Sequence, residues 1–131
     1  MNNTNKSLFI SLAILTFVAL YIGYNFAPWK QNENAIKTAL NWCRLNKIPT
    51  AATDVEVQIK GSAFTREFIV TFKSDNSTTE QWLNSSPGIK TKIQLPKAGN
   101  FRVQPDMKGA QFCEIQVNTT TNTVTIRVYW S

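Results

Sequence analysis

Residues 54–73 read DVEVQIKGSAFTREFIVTFK, and the fold turns on how they are read. Val55, Val57 and Ile59 alternate with Asp54, Glu56, Gln58 and Lys60, the period-two pattern of a half-buried strand. Gly61-Ser62 follows as a two-residue hairpin turn, with Gly supplying a positive φ. Beyond it Phe64, Phe68, Val70 and Phe72 share one face of a second strand. The two strands are expected to pair antiparallel, which sets the class of sheet for the rest of the domain.

Downstream, Ser77-Thr78-Thr79-Glu80 matches the capping box, in which Ser caps the N3 amide and Glu reaches back. Trp82 and Leu83 then bury one side of a helix of about two turns. Ser85-Ser86-Pro87-Gly88 ends it, Pro87 because it cannot continue the hydrogen-bond ladder and Gly88 because it permits the turn. IKTKIQL (89–95) reads as a strand with Ile89, Ile93 and Leu95 on one face, and FRV (101–103) as a short one. QFCEIQV and TVTIRVYW form a second hairpin through a Thr-rich turn at 118–123. Cys113, Ile115 and Val117 share a face in its first strand, and Val124, Ile126, Val128 and Trp130 in its second.

Upstream, QNENAIKTALNWCRLNK (31–47) places Ile36, Ala39, Leu40 and Cys43 on one helical face, the i, i+3, i+4, i+7 stripe of a core helix. Asn32 or Asn34 can cap its start, and Pro49 stops it. The order is helix, two strands, short helix, then three or four strands. That predicts an α+β two-layer domain over 28–131, a mostly antiparallel sheet with two helices on one face.

Before this domain, LFISLAILTFVALYIGYNFA (8–27) carries no charge. It has about the 20 residues a helix needs to cross a bilayer, after a tail at 1–7. Tyr21, Tyr24 and Trp29 cluster at its far end, at head-group level. A cleaved signal peptide is the competing reading. It is weakened by Asn25 where a small residue is needed, by Pro28 after Ala27, and by the length of the apolar run. Lys6 favours a cytoplasmic amino terminus and an external domain, although Lys30 and Lys37 partly offset that bias. The expected protein is single-pass, with its carboxyl-terminal domain on the extracytoplasmic side. An apolar helix before an α+β domain with two cysteines invites comparison with type IV pilins. Pilins carry a Gly before the apolar run and a Glu near its start; this chain has neither, and no family is assigned.

The chain holds 14 Lys+Arg against 8 Asp+Glu, and no His, which removes the commonest general base and zinc ligand. Cys43 and Cys113 form no CxxC pair, so no metal site is expected; one disulfide and two buried thiols both fit. Without His or a Gly-x-Ser-x-Gly elbow, the serines of 77–88 gain no nucleophile partner. Ser85 and Ser86 stay as an exposed contact loop. Asp54, Glu56, Glu67 and Glu114 fall on polar strand positions facing water. Lys90, Lys92, Lys97, Arg102 and Lys108 form a basic run that can meet anionic head groups or an acidic partner. The sequons at Asn2, Asn76, Asn84 and Asn118 count only in a secreted eukaryotic protein.

The leading expectation is a non-catalytic interaction or accessory module in a membrane or envelope complex, with a protein partner, no cofactor and no nucleic acid. The alternatives are an anionic lipid or envelope-polymer binder using 90–108, and a secreted enzyme without a recognisable motif.

Overall fold

The computed structural model describes residues 3–131, with side chains from Asn5 onward. The chain divides into two compact units, one ending at Glu33 and the other running Asn34–Ser131.

The first unit contains helix α1, Asn3–Asn25. The helix takes in part of 1–7, and its stretch Asn5–Asn25, which contains most of the apolar run 8–27, is long and apolar enough to cross a membrane. Its large apolar side chains are exposed on every side, among them Phe9, Leu12, Leu15, Phe17 and Leu20. Within it Thr16 Oγ1 donates to the Leu12 carbonyl and Asn25 Nδ2 to that of Tyr21, both at 2.8 Å. Phe26 and Ala27 separate it from helix α2, Pro28–Trp42. The start of α2 differs from the sequence expectation. Neither Asn32 nor Asn34 caps it; Pro28 opens it, where a missing N–H costs nothing. The Ala27 carbonyl accepts from the amides of Lys30 and Gln31.

The second unit holds the remainder of α2, helix α3 (Asn76–Ser85), and five strands: β1 (Thr53–Gly61), β2 (Arg66–Lys73), β3 (Asn100–Val103), β4 (Phe112–Asn118) and β5 (Thr123–Trp130). They form one sheet in the order β1-β2-β5-β4-β3, antiparallel throughout. The expected α+β architecture is present, with helices packed on a sheet. Phases predicted from alternation hold in the middle strands. Val70, Phe72, Cys113, Ile115, Val117, Val124, Ile126 and Val128 are buried on one face, and Ala39, Leu40, Trp82 and Leu83 meet them from the helices. Phe72 and Trp82 pack edge to face at 5.5 Å. Each fully buried side chain of this size contributes about 1.5–3 kcal/mol.

Four expectations change. The first hairpin turn has four residues rather than two: Gly61 pairs with Arg66, and the Ser62 amide donates to the Thr65 carbonyl at 3.0 Å. Gly61 has φ 132°, and a Cβ there would overlap the Thr65 carbonyl oxygen. Phe64 consequently sits in the loop, 81% exposed, instead of joining the Phe68 face. Second, β1 is not half-buried. It is an edge strand whose Val55 and Ile59 are 44% and 40% exposed. Alternation assigns side chains to a face, but it does not say whether a helix covers that face.

Third, residues 89–95 form no strand. Asn84 takes the place of a neighbouring strand: its Nδ2 donates to the Ile93 carbonyl at 2.9 Å, and its Oδ1 accepts the Ile93 amide at 2.7 Å. Glu80 Oε2 accepts the Leu95 amide at 2.8 Å. Ile93 is buried in the core from a loop. Fourth, α2 ends at Trp42, well before Pro49. The Leu45 amide donates to the Leu40 carbonyl and the Arg44 amide to that of Asn41. With Arg44 at φ 52°, this is a Schellman stop.

Cys43, at that stop, is disulfide-bonded to Cys113 in β4 across 70 residues, with Cα atoms 5.9 Å apart. A loop of this length raises stability by about 4 kcal/mol in the chain-entropy account. Replacing both cysteines by Ala is expected to lower the unfolding free energy by about that amount, read from urea denaturation. Reductant added to the native protein should act slowly, because both sulfurs belong to fully buried residues.

Candidate functional site

Residues 77–88 hold most of helix α3 and its exit, without the expected capping box. The N-cap of α3 is Asp75, not Ser77. Asp75 Oδ1 accepts the Thr78 amide at 2.8 Å and Oδ2 accepts the Thr78 hydroxyl at 2.7 Å. Glu80 does not reach back to the cap, because it holds the Leu95 amide instead. Nor do Ser85 and Ser86 form a free contact loop. Ser86 is buried; its Oγ donates to the Trp82 carbonyl and accepts the Asn46 amide. Ser85 Oγ donates to the same carbonyl and accepts from Asn46 Nδ2.

These contacts belong to a larger clasp around the end of α2. The Gly88 amide donates to the Arg44 carbonyl at 2.6 Å, the Lys108 amide to that of Trp42 at 2.8 Å, and Trp82 Nε1 to that of Asn46 at 3.1 Å. Gly88 is required for close approach rather than for a turn: a Cβ there would overlap the Cys43 carbonyl oxygen. Arg44 donates to Asp106 Oδ2 at 2.8 Å. The sequence reading missed Arg44, Asn46 and Asn84, because their partners lie 9 to 62 residues away.

The carboxylates named from sequence are dispersed. Asp54 lies 3.8 Å from Lys73 Nζ, Glu67 is paired with Arg127, and Glu114 accepts from Gln116. Glu56 is exposed on the edge strand.

The basic run is partly gathered. Lys90 and Lys92 line one open groove with Asn84, Ile89 and Thr91. Lys90 also approaches Asp106 at 3.7 Å, so it shares that carboxylate with Arg44. Lys97 lies in the loop before β3, Arg102 on β3 opposite Gln116, and Lys108 in the loop before β4. All five are exposed. Of the sequons, Asn84 is engaged by Ile93, Asn76 Nδ2 donates to the Thr119 carbonyl, and Asn118 Oδ1 accepts the amides of Thr120 and Thr121. Asn2 lies outside the described residues.

The sheet face turned away from the helices carries a mixed surface. The Arg127 guanidinium sits 6.0 Å from the Phe112 ring, and Tyr129 lines the same shallow depression. Among the described residues no group of three or more His, Cys, Asp and Glu is placed to hold a metal.

No protein-family model, curated protein or solved structure matches the chain. What stands is an α+β domain, preceded by one helix long and apolar enough to span a membrane.

The Thr78 backbone bond, then the Thr78 hydroxyl, hold the Asp75 carboxyl below its usual 3.8. A depressed folded value means that Asp75 stabilises the fold above the unfolded pKa, and that this contribution is lost as pH falls through the folded one. Asp75→Asn is therefore expected to be less stable than the parent at neutral pH. The gap should close as pH falls below the usual carboxylate range and through the lower folded value, read from urea midpoints along a pH series.

Proposed function

We propose that the chain is a single-pass, membrane-anchored interaction module that presents its α+β domain on the extracytoplasmic side and acts by binding rather than catalysis. The observation that carries this reading is α1, apolar around its whole circumference and exposed over Asn5–Asn25. Such a surface is unfavourable in water and needs no partner in lipid, where a helix satisfies its own backbone. Two arguments support the external side. Lys6, just before the apolar run, favours the cytoplasm for that flank, against a partial offset from Lys30 and Lys37 on the other. The Cys43–Cys113 disulfide belongs in an oxidising compartment. The non-catalytic reading is supported by Asp54, Glu67 and Glu114 each meeting a separate partner, with Glu56 exposed on the edge strand.

Two measurements test this reading. In membranes, cysteines introduced at exposed domain positions such as Thr120 should react with an impermeant maleimide from outside without permeabilisation. On native gels in mild detergent the chain should migrate well above its own mass. Migration as a lone monomer would overturn the interaction reading, and labelling only from the cytoplasmic side would overturn the topology.

A second reading, binding of an anionic head group or envelope polymer, is supported by Lys90 and Lys92 sharing one groove. Basic residues near a bilayer contribute about 1 kcal/mol each, so Lys90→Gln with Lys92→Gln should weaken sedimentation of domain 28–131 with anionic vesicles by about an order of magnitude. Binding unchanged by that pair, or equal on neutral vesicles, removes the reading.

A further inference from the structure

The outer edge of β1 is the longest unpaired element in the domain. β1 has nine residues, against four in β3 at the opposite edge. Long exposed edges carrying apolar side chains are sites of strand addition, which natural proteins blunt with bulges, charges or short strands. Here the blunting is partial. A register irregularity lies between Thr53 and Glu56, and Asp54 has φ 51°. From Glu56 to Gly61 the pairing with β2 runs without a break. This regular stretch reads EVQIKG.

That stretch is complementary to itself. With two copies antiparallel about a two-fold axis at Gln58, Val57 of each faces Ile59 of the other, and Glu56 of each faces Lys60 of the other. Antiparallel strands accept such a symmetric centre at either a hydrogen-bonded or a non-hydrogen-bonded position. Among the described residues neither Glu56 nor Lys60 is in an ion pair within the chain. Val57 is half-buried, while Ile59 is exposed on the helix side of the sheet. Opposite-charge and apolar cross-strand pairs both favour this register, and like charges directly opposite would oppose it.

We infer that the chain self-associates as a two-fold dimer through β1, residues 56–60 pairing antiparallel about Gln58 and joining two five-stranded sheets into one. This rests on the reading of the domain as an anchored interaction module, and it names the partner as a second copy. Anchoring both copies in one membrane would raise their effective concentration without new contacts.

The test uses the full chain in mild detergent, with oxidative cross-linking and non-reducing gels. Gln58→Cys should give a covalent dimer, because the two residues stand directly opposite, with Cβ atoms about 4.5–5.5 Å apart. Lys60→Cys should not, because its twin lies four residues along the strand, about 13 Å away. The native cysteines are buried and do not compete. In the Gln58→Cys background, Glu56→Lys alone and Lys60→Glu alone each place like charges opposite one another in both symmetric pairs. Each should lower dimer yield about ten-fold, and the two together should restore it. Glu56 and Lys60 are exposed, so unchanged urea midpoints check that every variant folds. No cross-link at Gln58→Cys, or no recovery in the doubly exchanged variant, overturns the dimer. A monomer that co-migrates with a different membrane protein overturns it while leaving the module reading in place; a lone monomer overturns both.

Discussion

The carbonyl end of α2 is the constraint on which the order of the domain depends. A helix leaves its last carbonyls without internal partners, and burying them unpaired is costly. Here Leu40 and Asn41 are bonded locally by Leu45 and Arg44, while the carbonyls that follow are bonded from far along the chain: Trp42 by Lys108, Arg44 by Gly88, and Asn46 by the Trp82 indole. The disulfide fixes the same point to β4. Residues 86–111 contain only one short strand, and these bonds hold the segments on either side of it. The αL conformation of Arg44 carries a steric cost that Gly would avoid. The Arg44 guanidinium also bonds Asp106, which ties in a segment that has no strand neighbour.

The sheet shows the same economy on a larger scale. β5 is central and β2 and β4 flank it, and their inward residues are the ones buried to completion. β1 is the outermost strand, and its Val55 and Ile59 stay exposed while Val57 is half-buried. The edge of β1 and the shallow depression at Phe112, Arg127 and Tyr129 are both left exposed. The groove at Lys90 and Lys92 exists because Asn84 and Glu80 hold the 89–95 loop against α3.

What local pattern encodes was legible. Alternation in 54–60, 68–72, 112–117 and 124–130 located four strands, and the 3.6-residue stripe of Ile36, Ala39 and Leu40 located the inward side of α2. The errors share one cause. Ser77-x-x-Glu80 satisfied a local rule, yet Asp75 was the better cap and Glu80 had a longer-range use. Ile89, Ile93 and Leu95 alternated as a strand would, but their backbone met side chains of α3 instead of a neighbouring strand. The basic residues were visible as a run, while their division among a groove, a strand and two loops was not.

By itself the sequence determined the class of fold, the phase of each central strand and the presence of an apolar helix long enough for a bilayer, because these follow from periodicity and composition within a few residues. The tertiary structure alone decided that Cys43 and Cys113 bond, that Arg44 ends α2, that Gly88 must lack a side chain, and that β1 is an uncovered edge. Each of those depends on which distant segments arrive at the same place, and local preference carries no record of that.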